Sequence, residues 1–323
     1  MKKILASVAT TAVLAAGSVS AQDYPSEAIT LVIPYGPGGA SDLAGRALAE
    51  SAGKFLDEPI TVVNKPGAGG MNGARSVSQA DPDGYTLLLA RVGMALAPAV
   101  NPQVQTGWDD YSFVGSLEAT PMILAVREGS EYGSVEELMA AVKENPGAMT
   151  YAASGPTAID GFTVQALLSD AGLDPLADAT IVPYKGGGAL ATALLGGHVD
   201  FLAIAAGSLM PHINSGDMKP LAVFSPERMD DLPDVPTVAE LGYETAGQIT
   251  GWSALYGPEG LPEEVQAKWD EVLGQVAEDE TWLTLAERRG SISTVGEKDM
   301  PAYAESQYEL FRGLAEEFGY LGN

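Results

Sequence analysis

Four glycine-rich segments are the places where this chain could do chemistry. They are Gly36-Pro-Gly-Gly-Ala-Ser-Asp42, Lys65-Pro-Gly-Ala-Gly-Gly-Met-Asn-Gly73, Ser154-Gly-Pro-Thr157 and Lys185-Gly-Gly-Gly188. Each follows a short β-branched run and precedes an amphipathic stretch, so each opens a helix. A helix start leaves N–H groups unpaired at the positive end of the helix dipole, and glycine lets a ligand approach that backbone. The chemistry this suits is holding an anion. Taken singly, each segment is better read as turn punctuation. Four of them at strand C-terminal ends favour a ligand site, because ligands of α/β sheets bind there.

Other chemistries fit the residues poorly. A dinucleotide fingerprint starting Gly36-x-Gly38 needs glycine at position 41, where Ser41 stands, and the segment from Lys65 to Ser76 lacks the Gly-Lys-Ser/Thr ending of a P-loop. His198 and His212 are the only histidines, far apart and without a carboxylate cluster, which makes a poor metal site. Neither accompanies a serine nucleophile elbow, so a hydrolase triad has no support. The absence of cysteine removes thiolate nucleophiles, disulfides and zinc–thiolate centres. No catalytic residue, metal or cofactor is assigned, and the chain is not expected to be an enzyme. Trp252 and Tyr256 are read as core, and the acidic run Glu259 to Glu264 as a solvated helix start.

The elements that must position these turns alternate strand and helix, the α/β pattern. Ile29 to Pro34, Ile60 to Asn64 and Tyr85 to Ala90 read as strands, with a helix over Leu43 to Phe55. Met122 to Val126 reads as a fourth strand, followed by a helix over Ser134 to Asn145. The pattern restarts with strands at Met149 to Ala153, Ile181 to Tyr184, Val199 to Ile204 and Leu221 to Phe224. A strand at Gly251 to Tyr256 and helices over Glu263 to Ala277 and Tyr303 to Phe318 close the chain, and are expected to return to the first lobe. The expected division is a leader over 1–21, a discontinuous first lobe over 22–121 and 249–323, and a second lobe over 122–248.

Lys2 and Lys3, the uncharged run Ile4 to Ala16 and Val19-Ser20-Ala21 read as a secretory signal peptide cleaved before Gln22. The apolar run is shorter than the ~20 residues of a membrane span, so a periplasmic, unanchored chain is expected. With 17 basic against 43 acidic residues the net charge is −26. Such a field repels nucleic acid and anionic lipid and excludes both as partners.

Several motifs occur together in one order: Tyr24-Pro25, Ile29-Thr-Leu-Val-Ile-Pro34, Pro37-Gly-Gly-Ala-Ser-Asp42, Asn64-Lys-Pro-Gly-Ala-Gly-Gly70 and Asp83-Gly-Tyr-Thr-Leu-Leu-Leu89. Pro183-Tyr-Lys-Gly-Gly187, Leu195-Gly-Gly-His-Val-Asp200 and Leu232-Pro-Asp-Val-Pro-Thr237 follow. Together they closely resemble the extracytoplasmic solute receptors of tripartite tricarboxylate transporters, the Bug-type receptors. The resemblance implies a two-lobed periplasmic-binding-protein fold (type II, Venus flytrap) that closes on a small organic carboxylate. It implies backbone amides and small side chains as the donors: Pro37, Gly38, Gly39 and Ser41 on one lobe, with Ser154, Gly155, Thr157 and Ala158 facing them. Lys185, Gly186 and Gly187 are expected nearby. The receptor, a monomer, would deliver its ligand to a large and a small membrane subunit.

Two departures from the family pattern matter. Ala90-Arg91-Val92-Gly93 stands where the family often has a small hydroxyl residue. Arg91 is either a bidentate partner for a second carboxylate or a surface or inter-lobe ion-pair residue. Asp160, in a stretch that often continues to a histidine, is either near the ligand or a helix-start residue. Arg91 and Lys185 favour a di- or tricarboxylate. A sensory protein presenting carboxylate occupancy to a sensor kinase is the alternative to transport.

Overall fold

The run Ile29–Ile33 is buried at all but one position, as a central strand flanked by helices on both faces must be. The computed structural model describes residues 24–67, 70–104, 107–296 and 300–321. The leader at 1–21 and the Ala68-Gly69 step of the second glycine-rich segment lie outside the described residues. A six-stranded sheet contains β1 (Ile29–Ile33), β2 (Ile60–Asn64), β3 (Thr86–Arg91), β4 (Tyr111–Thr120), β10 (Gly251–Pro258) and β11 (Ile292–Ser293), in the order β11-β4-β10-β3-β1-β2. A five-stranded sheet contains β5 (Met122–Arg127), β6 (Met149–Ala153), β7 (Ala179–Pro183), β8 (Phe201–Ala205) and β9 (Met218–Phe224), in the order β7-β6-β8-β5-β9. Strands β1, β2 and β3 run parallel, as do β6, β7 and β8. Their C-terminal ends therefore lie on one edge of each sheet.

Helices cover both faces of each sheet. On the first sheet, α1 (Ala40–Ala52) buries Ser41, Ala44, Gly45, Leu48 and Ser51, the stripe expected of an amphipathic helix. It shares a face with α8 (Glu263–Val276) and α9 (Glu280–Arg288). The other face carries α2 (Met71–Ser78), α3 (Gly93–Val100) and α10 (Met300–Glu317). On the second sheet, α4 (Val135–Glu144) and α5 (Ile159–Asp170) pack on one face, α6 (Gly187–Leu195) and α7 (Met210–Asn214) on the other.

The two lobes share one apolar cluster. Every residue of α5 from Asp160 to Leu168 is buried. An ordinary surface helix exposes one face, so a further element must cover α5. That element is α10. The Phe311 ring meets Phe162 edge-on at 6.1 Å, and Phe318 and Tyr320 contact the same ring at 5.9 and 5.7 Å. Ser169 donates to Glu317 (2.6 Å) and the Tyr320 hydroxyl pairs with Gln165 at 3.2 Å. Sequence reasoning returns this helix to the first lobe. In the structure it packs along α3 and also lies against α5.

Two further differences from the sequence reading concern elements it passes over. Strand β4 lies between β10 and β11 and buries Ser116, Glu118 and Thr120, polar residues that hide its pattern. Helix α9 starts at Asp279, whose side chain accepts the N–H groups of Thr281 and Trp282. The chain passes between lobes at Thr120-Pro121-Met122 and again before β10; near the first crossing the Ala206 N–H donates to the Pro121 carbonyl (2.9 Å).

Candidate functional site

The turn after β1 is tied down by the helix that follows it. Asp42, in the first turn of α1 and 3% exposed, accepts the Gly38 N–H at 2.9 Å. The same carboxylate accepts two hydrogen bonds from Arg46 (3.0 and 2.9 Å) and one from Asn64 Nδ2 (2.9 Å). The Arg46 guanidinium is the main reason its pKa falls from 3.8 to about 2; the Gly38 and Asn64 donors add to the effect against desolvation. Gly38 thus has its N–H committed internally. The chain turns tightly from Gly36 to Gly39, the N–H groups of Ala40 and Ser41 have no acceptor among the described residues, and Pro37 to Ala40 are exposed. Ser41 is nearly buried (6% exposed).

The second lobe repeats the device. Asp160, in the first turn of α5 and 6% exposed, accepts from the Ser154 N–H (2.9 Å) and hydroxyl (2.6 Å) on one oxygen and from the Gly161 N–H (2.9 Å) on the other. Burial raises its pKa, while these donors oppose the rise. Gln165 Nε2 donates to the Pro156 carbonyl (3.0 Å) and the Ala158 N–H to Gly155 (3.2 Å), so the turn folds back on its helix. Both Asp160 oxygens are engaged within the turn, as a residue that shapes it would be. The N-cap position is Ala158, not Asp160. Ser154 and Thr157 are exposed, Gly155 and Ala158 half-buried, and the N–H groups of Gly155 and Thr157 have no acceptor among the described residues. Lys185 and Gly186 are exposed at the start of α6, where Gly186 has φ of +85°.

Arg91 ends β3 on the sheet edge that carries the β1 turn. Its Nη2 donates to Thr120 Oγ1 at 2.8 Å and stands 4.0 Å from Glu118 Oε1. Glu118 is 1% exposed and its Oε2 accepts from Arg289 Nη2 at 2.8 Å. Sequence reasoning allowed a surface or inter-lobe ion pair for Arg91; the polar contacts described for it are with β4 of its own sheet. Tyr35, just before the glycines, was not singled out by sequence. Cβ atoms placed on Gly70 and Gly93 would both lie 3.2–3.3 Å from its ring or hydroxyl, so the starts of α2 and α3 close around it. Burial raises its phenol pKa, and nearby Arg91 partly offsets this. Glu118 and Arg289 were missed as well. They carry no local signal, since 171 residues separate them.

The lobes also meet backbone to backbone. Gly207, just beyond β8, lies against Arg289 and Gly290 at the end of α9: a Cβ on Gly290 would stand 2.9 Å from the Gly207 nitrogen. Ser208 sits beside Gly187, which joins this contact to the α6 turn. A cavity of about 840 Å³, lined in part by Glu118 and Gly290, runs beside the crossing strands between Ser225–Asp231 and a wall that includes Trp252, Ser291 and Tyr303. None of the twelve residues singled out from sequence lines it. Among the described residues no group of three or more His, Asp or Glu side chains could hold a metal ion, and no helix is long and apolar enough to cross a membrane.

The comparisons with known proteins agree on one family. Residues 44–287 match the model for the tripartite tricarboxylate transporter family receptor. The UPF0065 protein in the TAR-I ttuE-ttuC' intergenic region of Agrobacterium vitis is 33% identical over 90% of this chain and 83% of its own length. Among solved structures, the periplasmic binding protein BugD matches with a TM-score of 0.77 at 28% identity, over 92% of this chain and 99% of that one. MatC from Rhodopseudomonas palustris, solved with bound malate, matches with a TM-score of 0.76 at 26% identity, over 90% of this chain and all of that one. With two mixed sheets, two lobes and these relatives, the chain belongs to the tripartite tricarboxylate transporter receptor family and has the fold of its periplasmic solute-binding proteins.

Proposed function

We propose that this chain is an exported receptor that captures a small di- or tricarboxylate between its lobes and presents it to a large and a small membrane subunit. The observation that carries the reading is the repeated turn. In each lobe an aspartate in the first helical turn fixes a glycine-containing loop and leaves backbone N–H groups with no internal acceptor. Pro37, Gly38, Gly39 and Ser41 form one jaw; Ser41 supplies an N–H group, while Gly38 and Gly39 set the curvature. Ser154, Gly155, Thr157 and Ala158 form the other, with Lys185 and Gly186 beside it. Asp42 and Asp160 act as organisers. The lobes in this reading are 22–121 with 249–323, and 122–248. That MatC holds malate supports a carboxylate of this size.

The energetics are adequate. Micromolar affinity needs about −8 kcal/mol, and each charge-assisted hydrogen bond contributes about 1.5–3 kcal/mol net. A few backbone donors and one guanidinium reach that range. Ligand touching both lobes favours their closed arrangement, the state a membrane partner would read. A thermal-shift panel of malate, succinate, citrate, aromatic acids, amino acids and uncharged analogues tests the reading. Stabilisation by a di- or tricarboxylate is expected; stabilisation by uncharged compounds alone overturns it.

A further inference from the structure

The buried charges where β3, β4 and α9 meet do not cancel. Glu118, 1% exposed, faces two guanidiniums, and the two are not equivalent. Arg289 makes the short contact (2.8 Å), and its guanidinium carbon lies 5.5 Å from the centre of the Trp282 ring. Its backbone is wedged against Gly207 of the other lobe. Arg91 stands 4.0 Å from the carboxylate and gives its nearer nitrogen to Thr120 instead. Its Nη1 and Nε have no acceptor among the described residues, and its side chain is 16% exposed. Arg289 Nε is also without a hydrogen-bond partner among the described residues, but Arg289 makes the short contact with Glu118. One carboxylate against two guanidiniums leaves one positive charge, and the geometry assigns it to Arg91.

Arg91 also has the position to use that charge. Because β1 and β3 run parallel, the end of β3 lies on the same sheet edge as the Pro37–Gly39 turn. Two residues beyond Arg91, Gly93 packs against the Tyr35 hydroxyl at the base of that turn. We infer that Arg289 is a positioning residue for ligand selection: by satisfying Glu118 it leaves the Arg91 guanidinium for the second carboxylate of a dicarboxylate. A buried carboxylate stripped of its partner is left uncompensated, and movement of the nearest remaining cation toward it relieves this. Without Arg289, that cation is Arg91. The inference rests on the carboxylate-capture reading and adds the residue that sets preference between dicarboxylates and monocarboxylates.

The experiment is calorimetric titration of the purified chain with malate, succinate and butyrate. Arg289→Gln is expected to weaken malate and succinate by at least about tenfold and to change butyrate by less than about twofold. The double variant Glu118→Gln/Arg289→Gln, which removes the competing carboxylate as well, is expected to recover dicarboxylate binding to within about threefold of the parent. Undiminished dicarboxylate binding in Arg289→Gln overturns the inference. So does loss without recovery in the double variant, which identifies a structural role. Should Arg289→Gln fail to fold, Glu118→Gln alone decides: retained or stronger dicarboxylate binding supports the inference, and a tenfold loss overturns it. A parent chain that binds no carboxylate at all removes the capture reading itself, a separate outcome.

Discussion

Replacing Gly207 by alanine tests whether ligand capture requires the lobe arrangement seen here. A Cβ at this position would overlap the Arg289 carbonyl oxygen and stand 2.9 Å from its carbon, where ordinary contact begins at 3.4 Å. Backbone lies on both sides, so no side-chain rotation relieves the clash. Gly207 is not among the glycines with positive φ, so alanine introduces no strain of its own. The carbonyl oxygen is the nearer atom, so the two backbones must part by about 1 Å or more, and overpacking of this kind costs about 1–3 kcal/mol. That cost falls on the arrangement that brings Gly207 to Arg289 and not on one in which they are apart. If capture uses this arrangement, affinity drops about 5- to 150-fold. Titration calorimetry of parent and variant reads the affinity, and small-angle scattering with and without ligand reads the shape. Unchanged affinity together with superimposable scattering curves refutes the reasoning.

Asp42→Ala strands the Gly38 N–H and removes an acceptor from Asn64, and should cost about 1–3 kcal/mol at neutral pH, read by urea unfolding. Since the folded pKa of about 2 lies below the ordinary 3.8, this contribution is complete above pH 4–5 and disappears as pH falls toward 2. The parent and variant stabilities should therefore converge in acid; a constant gap contradicts the assignment. Asp160→Asn keeps an acceptor for Ser154 but turns an amide NH2 toward the buried Gly161 N–H, and should cost about 1–3 kcal/mol, read by urea unfolding; unchanged stability contradicts the assignment. Phe311→Ala, in the cluster shared by both lobes, should cost about 3–5 kcal/mol and preserve a single calorimetric transition, whereas two separate transitions would show that the lobes unfold independently.

The glycine-rich turns were legible because a backbone that must bend sharply at the end of a strand leaves few residue choices. The strands before them were legible for their unbroken β-branched runs. What was hidden depended on residues far apart in sequence. Strand β4 breaks its own pattern with Gly115, Ser116 and Glu118, each acceptable only because β10 and β11 flank it. Glu118 and Arg289 become a pair once those strands are in place. Helix α5 looks too apolar for a surface helix until α10 is laid across it. Arg91 was visible as an oddity of the motif, but its neighbours were not. Gly38 stands out in the sequence as a donor, yet its N–H is taken by the aspartate four residues later.

The unspent N–H groups at the starts of α1 and α5 belong to the main chain, and this has a consequence for inheritance. A mutation can delete a side chain, but apart from one to proline it cannot delete an amide proton. A holding surface made this way survives most changes in the gene, while the residues around it drift. Under the proposed capture reading, chains that share about a third of their residues can keep one grip while the side chains around it change what they accept.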